Sequence, residues 1–116
     1  MAGSPTTRTL ALLKKEGYSS AIAEKYNSFI KRRFDLYGFI DVVGIKATEK
    51  GVLGIQATSG SNISARIKKS VAIPALKVWL QAGNRFEIWG WKKKGARGKR
   101  KLWTVDKRKI TLPLKV

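Results

Sequence analysis

Asp41 and Gln56 are the residues of this sequence best suited to chemistry. Each is a polar residue enclosed by apolar neighbours, in the runs Phe39-Ile40-Asp41-Val42-Val43-Gly44-Ile45 and Val52-Leu53-Gly54-Ile55-Gln56-Ala57-Thr58. A carboxylate in such a setting is costly unless it is paired or holds a cation. If the two runs are neighbouring strands, joined by the turn at Lys46 to Gly51, both side chains can leave the sheet at one end. Two oxygens there suit a single hard cation.

Composition narrows that chemistry. The chain has no cysteine and no histidine, which excludes disulfides, thiolate zinc sites, imidazole bases and Ser-His triads. A metal must then be held by oxygen, which favours Mg²⁺, Mn²⁺ or Ca²⁺. There are 25 Lys plus Arg against 7 Asp plus Glu, a net charge of +18. So large a charge repels itself in the folded state and suits a polyanionic partner, nucleic acid first. With 116 residues, 43% of them hydrophobic, the chain predicts one domain over residues 1–116 with a real core. No apolar run is long enough to span a bilayer and no signal peptide is recognisable, so the expectation is a soluble, intracellular protein with no membrane partner.

The elements that must position Asp41 and Gln56 are read from periodicity and punctuation. A helix capped by Thr6 or Thr7 runs to about Glu16, with Leu10, Leu12 and Leu13 as its apolar stripe and Gly17 as its stop. Ser19 to Lys25 fits a second helix or a strand, and the α/β unit that follows favours a strand. Asn27 to Gly38 reads as a loop holding the basic knot Lys31-Arg32-Arg33. After the two central strands, Ser61 or Asn62 caps a helix from Ile63 to about Val71, and Pro74 starts another that ends at Gly83-Asn84. Arg85 to Trp91 alternates as a strand, Phe86 and Ile88 on one side and Glu87, Trp89 and Trp91 on the other. These aromatics read as core and sheet surface rather than a base-stacking platform. Leu102 to Val105 is its hairpin partner. The sum is an α/β domain, a mixed central sheet flanked by helices.

Phosphate contact falls to clustered cations. Residues 92–101 form a basic hairpin tip with Lys92, Lys93, Lys94, Arg97, Lys99, Arg100 and Lys101 around Gly95 and Gly98. Arg32 and Arg33 make a second patch and Arg66 adds a cation on the Ile63 helix. Such residues neutralise phosphates without reading sequence.

Gly38-Phe39-Ile40-Asp41 and Gln56-Ala57-Thr58 together resemble the motif of the PD-(D/E)XK nuclease superfamily, which includes restriction endonucleases and Holliday-junction resolvases. There an acidic residue opens one strand, and the next strand carries an acidic residue, a spacer and a lysine. The resemblance runs from about Leu10 to Lys69, in the order helix, three strands, helix. It implies a restriction-endonuclease-like core, a Mg²⁺ (or Mn²⁺) cofactor and Asp41 and Gln56 as catalytic metal ligands. This chain departs from the motif in three places: no proline precedes Asp41, Gln56 takes the second acidic position, and Thr58 takes the lysine position. Glutamine brings an oxygen without a charge, a loss of roughly 4 kcal/mol for unit charges ~4 Å apart at an effective dielectric of ~20. Glu24 or Asp35 would complete the metal site, and Lys68, Lys69 or Arg66 would stand for the lysine. The function implied is metal-dependent hydrolysis of DNA phosphodiesters by a homodimer, on duplex or branched DNA. Two other classes fit the same residues: a DNA-binding protein of this fold without catalysis, and a small RNA-binding protein.

Overall fold

Ser4 starts the first helix. Its hydroxyl accepts from the Thr7 amide at 3.1 Å, and Pro5 occupies the first turn of α1, Pro5–Lys15. The cap thus falls before the threonines expected from sequence, because proline at the first helical position needs no hydrogen-bond partner for its nitrogen. The computed structural model describes residues 3–95, 98 and 100–114. Arg97 and Lys99 lie outside the described residues.

After α1 come β1 (Ser19–Ile22), β2 (Lys25–Asn27), β3 (Arg32–Phe34), β4 (Val42–Ile45) and β5 (Leu53–Ser59). A 3-10 turn at Gly60–Asn62 leads into α2 (Ile63–Val71), α3 (Pro74–Gln81), β6 (Arg85–Lys94) and β7 (Leu102–Ile110). Two stretches differ from the sequence reading. The strand expected over Ser19 to Lys25 ends at Ile22, and an antiparallel hairpin, β2 with β3, begins at Lys25 and takes up the first part of the span read as a loop from Asn27. The hairpin partner read as Leu102 to Val105 runs on to Ile110 as β7. At the start of α2, Asn62 stands at the cap position but its side chain makes no capping hydrogen bond.

The main sheet has five strands in the order β1-β4-β5-β6-β7. Only β5 and β6 run parallel; the other neighbours are antiparallel. A parallel pair needs a long crossover, and α2 with α3 supplies it. The helices divide between the two faces. Leu13 of α1 packs with Val42, Leu53, Ile55, Trp89 and Trp91. Ile63 of α2 and Leu76 of α3 pack with Phe39, Ile40, Phe86 and Ile88 on the other face. Phe86 and Ile88 are thus buried opposite Trp89 and Trp91, as their alternation predicts, and the tryptophans serve the core. The Trp91 indole donates to Thr9 Oγ1 at 2.9 Å, which satisfies its one buried polar atom. Gly90 explains how closely α2 approaches the sheet: a Cβ there would run into the Ile63 side chain. The chain is a single α/β domain with a five-stranded mixed sheet. Among the described residues no helix is long and apolar enough to cross a membrane.

Candidate metal centre

Asp41 sits where three segments meet. It precedes β4, and its own amide donates to the Ile55 carbonyl at 2.9 Å, extending the β4–β5 ladder by one residue. That register sets Asp41 beside Gln56, on the face of the sheet covered by α2 and α3. The Asp41 carbonyl accepts from Ala23 at 2.7 Å and from Glu24 at 3.3 Å, which carries β1 past its end and brings Glu24 alongside. The third segment is the tight turn from Asp35. An antiparallel bridge joins Leu36 to Ile40, with the Leu36 amide donating to the Ile40 carbonyl at 2.8 Å. Tyr37 turns the corner with a left-handed φ of 55°, followed by Gly38 at 86°. One step beyond that bridge, Asp35 and Asp41 face each other.

The outcome is a cluster of carboxylates. Glu24, Asp35 and Asp41 each place an oxygen within 4.8 Å of the others. Sequence leaves open whether Glu24 or Asp35 joins Asp41; the structure brings both. Gln56 bridges two of them: Nε2 donates to Asp41 Oδ2 at 2.7 Å and to Asp35 Oδ2 at 3.2 Å. The Ala57 amide also donates to Asp41 Oδ2, at 3.0 Å. Asp41 is 5% exposed and Gln56 3%.

Burial dominates the electrostatics of Asp41. Desolvation, then a hydrogen bond with the Asp35 carboxyl and the charge of Asp35, push its pKa from 3.8 up to about 8, against the opposing hydrogen bonds from Ala57 and Gln56. Without a cation, burial and the Asp35 carboxyl thus favour the protonated form of Asp41. Glu24 is engaged by Arg33, whose Nη1 lies 2.9 Å from Oε1. A proton, an amide nitrogen and a guanidinium thus do together what one cation could do alone. Gln56 Oε1 is buried with no hydrogen-bond partner. Turning the amide over would point that oxygen at the carboxylates, which is repulsive in the metal-free site and favourable once a cation sits between them. The donor set is entirely oxygen, as a hard divalent ion requires.

The lysine position is not filled locally. Thr58 is buried on the same face as Gln56. Lys68 and Lys69 are exposed in the last turn of α2, and Arg66 is half-buried on that helix. Among the described residues, none of the three forms a hydrogen bond or ion pair with the cluster. The expected basic tip divides between two faces, because a strand alternates its side chains. Lys92 and Lys94 lie with Gly60, Ile63 and Gly90 on the α2 face, the face that carries Gln56. Lys93 points the other way, its Nζ 5.3 Å from the centroid of the Trp103 ring, which Arg8 also covers at 3.5 Å. Arg100 and Lys101 are exposed beyond the strands. Arg32 is exposed on β3, while Arg33 is committed to Glu24.

Sequence reading passes over three aromatic side chains beside this centre. Tyr26, Phe29 and Phe34 stand exposed on the β2–β3 hairpin, whose first and last residues adjoin Glu24 and Asp35. The signal that could have found them is the tract Lys25 to Phe34, where aromatic and basic residues interleave around Asn27 without a single acid. No family model, curated protein or solved structure matches the chain.

Proposed function

We propose that this protein is a divalent-metal-dependent DNA endonuclease of the PD-(D/E)XK kind, with Glu24, Asp35, Asp41 and Gln56 as its metal centre. One observation carries the reading. Three of the chain's seven acidic residues converge within 4.8 Å in a protein with 25 basic ones. Electrostatics alone would scatter those acids among the cations. Two ionised carboxylates ~4 Å apart would repel by roughly 4 kcal/mol at an effective dielectric of ~20; the metal-free cluster meets this with the Asp41 proton and the Arg33 guanidinium, and one divalent cation could replace both. The unpartnered Gln56 Oε1 supports the same occupant from the other side.

A bound Mg²⁺ or Mn²⁺ would polarise the scissile phosphate and acidify a water for attack on phosphorus. The protein's own groups have separate tasks. Asp41 and Asp35 offer anionic oxygens once Asp41 gives up its proton. Ala57 N–H holds the Asp41 carboxylate in one orientation. Glu24 would give up its Arg33 ion pair to such a cation, which would free a guanidinium for a phosphate of the substrate. Lys92 and Lys94, on the same face, hold the DNA backbone. One such centre per chain cuts one strand, so cleavage of both strands of a duplex calls for a symmetric dimer.

A second reading has its own observation: the lysine position is the buried Thr58, and no lysine replaces it at the cluster among the described residues. On that reading the protein binds DNA without cutting it. The test is incubation of the purified protein with end-labelled branched, duplex and single-stranded DNA in Mg²⁺, Mn²⁺ or EDTA. Cleavage in metal only, lost in Asp41→Asn with DNA binding kept, is the expected result. Binding without cleavage in either metal would establish the second reading, and a preference for RNA over every DNA would reject both.

A further inference from the structure

The hairpin that rises between Glu24 and Asp35 is built to display aromatic groups. Its ten residues, Lys25 to Phe34, include four cations, three aromatics and no acid. Phe29 at the tip is 96% exposed, Tyr26 56% and Phe34 45%. A phenylalanine left in water forgoes roughly 1.5–3 kcal/mol of burial, so the fold gains nothing by placing it there. Yet the tip is ordered by specific bonds. Asn27 Oδ1 accepts from the Phe29 amide at 2.9 Å and from Ile30 at 3.4 Å, an Asx turn that sets the loop. Lys31 closes it in a left-handed conformation with φ of 51°, which is uncommon for a residue with a side chain. The base is tied by the Arg33–Glu24 ion pair to the acidic cluster itself. On one face Arg32 stands 5.9 Å from the Phe34 ring, beside a shallow groove of about 320 Å³ lined by Lys25, Tyr26, Asn27, Ser28 and Phe34.

Charge decides what meets this surface. A ridge with four cations and no anion repels a second copy of a chain of charge +18 and attracts a polyanion. Aromatic rings interleaved with Lys and Arg stack on bases while the cations hold the flanking phosphates. Paired bases inside a duplex present no free face; bases at a branch point or beside a single-stranded gap do. We infer that the β2–β3 hairpin is a base-stacking wedge for branched DNA: Phe29 stacks on an unpaired base at the branch, Lys31 and Arg32 grip its phosphates, and the adjoining backbone is delivered to Glu24, Asp35 and Asp41. The inference rests on DNA as the partner, and not on cleavage.

The experiment uses the full chain in EDTA, where nothing is cut. Binding is followed by anisotropy on a four-way junction and on a linear duplex of equal length, with 2-aminopurine at the branch reporting unstacking. Wild-type protein should favour the junction and change the 2-aminopurine fluorescence. Phe29→Ala should lose about ten-fold in junction affinity and most of the fluorescence change, with the duplex affected less than about two-fold. Phe29→Trp should restore both. Folding is not at stake, because Phe29 is almost wholly in solvent, and a melting curve checks it. Unchanged junction binding by Phe29→Ala, or an equal loss on junction and duplex, overturns the wedge. So does a shift from dimer to monomer in sedimentation with the junction preference intact. Wild-type protein that favours the junction through Phe29 yet cuts nothing in Mg²⁺ would retain the wedge and overturn the nuclease reading instead.

Discussion

Asp41→Asn should make the metal-free protein more stable, and increasingly so as pH rises. In the folded chain the Asp41 carboxyl titrates at about 8, against 3.8 for the ordinary group. Between those values the folded protein keeps a proton that the unfolded chain has released. Stability is therefore fully present below about pH 4 and is lost as pH rises towards about 8, by at most ~1.4 kcal/mol per unit. Across the whole window the loss is on the order of 5 kcal/mol, a large share of the roughly 5–15 kcal/mol that holds a domain together. Asparagine reproduces the protonated arrangement: its oxygen accepts from Gln56 Nε2 and Ala57 N–H as Asp41 Oδ2 does, and its amide can donate to Asp35. It has no proton to lose.

Urea unfolding of both proteins in EDTA, at several values between about pH 5 and 8, measures the difference. The advantage of the variant should grow by about 1 kcal/mol per pH unit. Mn²⁺ should reverse the order, because a cation that binds only the folded wild type adds RT ln(1 + [L]/Kd), ~2.7 kcal/mol at a hundred times Kd. It should also bind more tightly as pH rises, since it displaces the Asp41 proton. Parallel stability profiles for the two proteins, or equal stabilisation of both by Mn²⁺, would refute the reasoning.

Gln56→Glu adds a carboxylate to three others; the metal-free melting temperature should fall and Mn²⁺ affinity should rise in calorimetric titration, whereas a fall without tighter binding would mark Gln56 as a core amide. Arg33→Ala should change stability by under about 1 kcal/mol, since its guanidinium is largely exposed, but should raise Mn²⁺ affinity by releasing Glu24; unchanged affinity would mean Arg33 does not compete for that site. The Lys92→Ala, Lys94→Ala double variant should lower the slope of log affinity for DNA against log salt by about two, and Lys93→Ala by less, because Lys93 faces Trp103 on the opposite side of the sheet. Equal effects per lysine would mean that DNA wraps both faces. Gly90→Ala should destabilise the fold by forcing Ile63 off β6; unaltered stability would show that α2 can yield there.

What sequence could reveal of this fold followed the range of each signal. Helix Ile63–Val71 was legible, because its apolar spacing is local and Gly60 and Pro74 punctuate its surroundings. Strand β6 was legible as a strand because Phe86 to Trp91 alternate between two buried faces. The same alternation assigns Lys92, Lys93 and Lys94 to opposite faces, a consequence that treating them as one charged tip conceals. The β2–β3 hairpin was not legible: each strand has three residues, all exposed, so no periodicity distinguishes it from a loop. The centre itself falls between these cases. Asp41 and Gln56 announce themselves as polar residues in apolar runs. Glu24 and Asp35 do not, because their position depends on the Asp41 carbonyl accepting from Glu24 and on the bridge from Leu36 to Ile40, neither of which leaves a mark on composition. The rotation of the Gln56 amide is further removed still, since it follows from the presence of both aspartates. A site made where the ends of several segments meet can thus be suspected from its most buried members. Its charge and its proton follow only from the residues that the chain folds back to meet them.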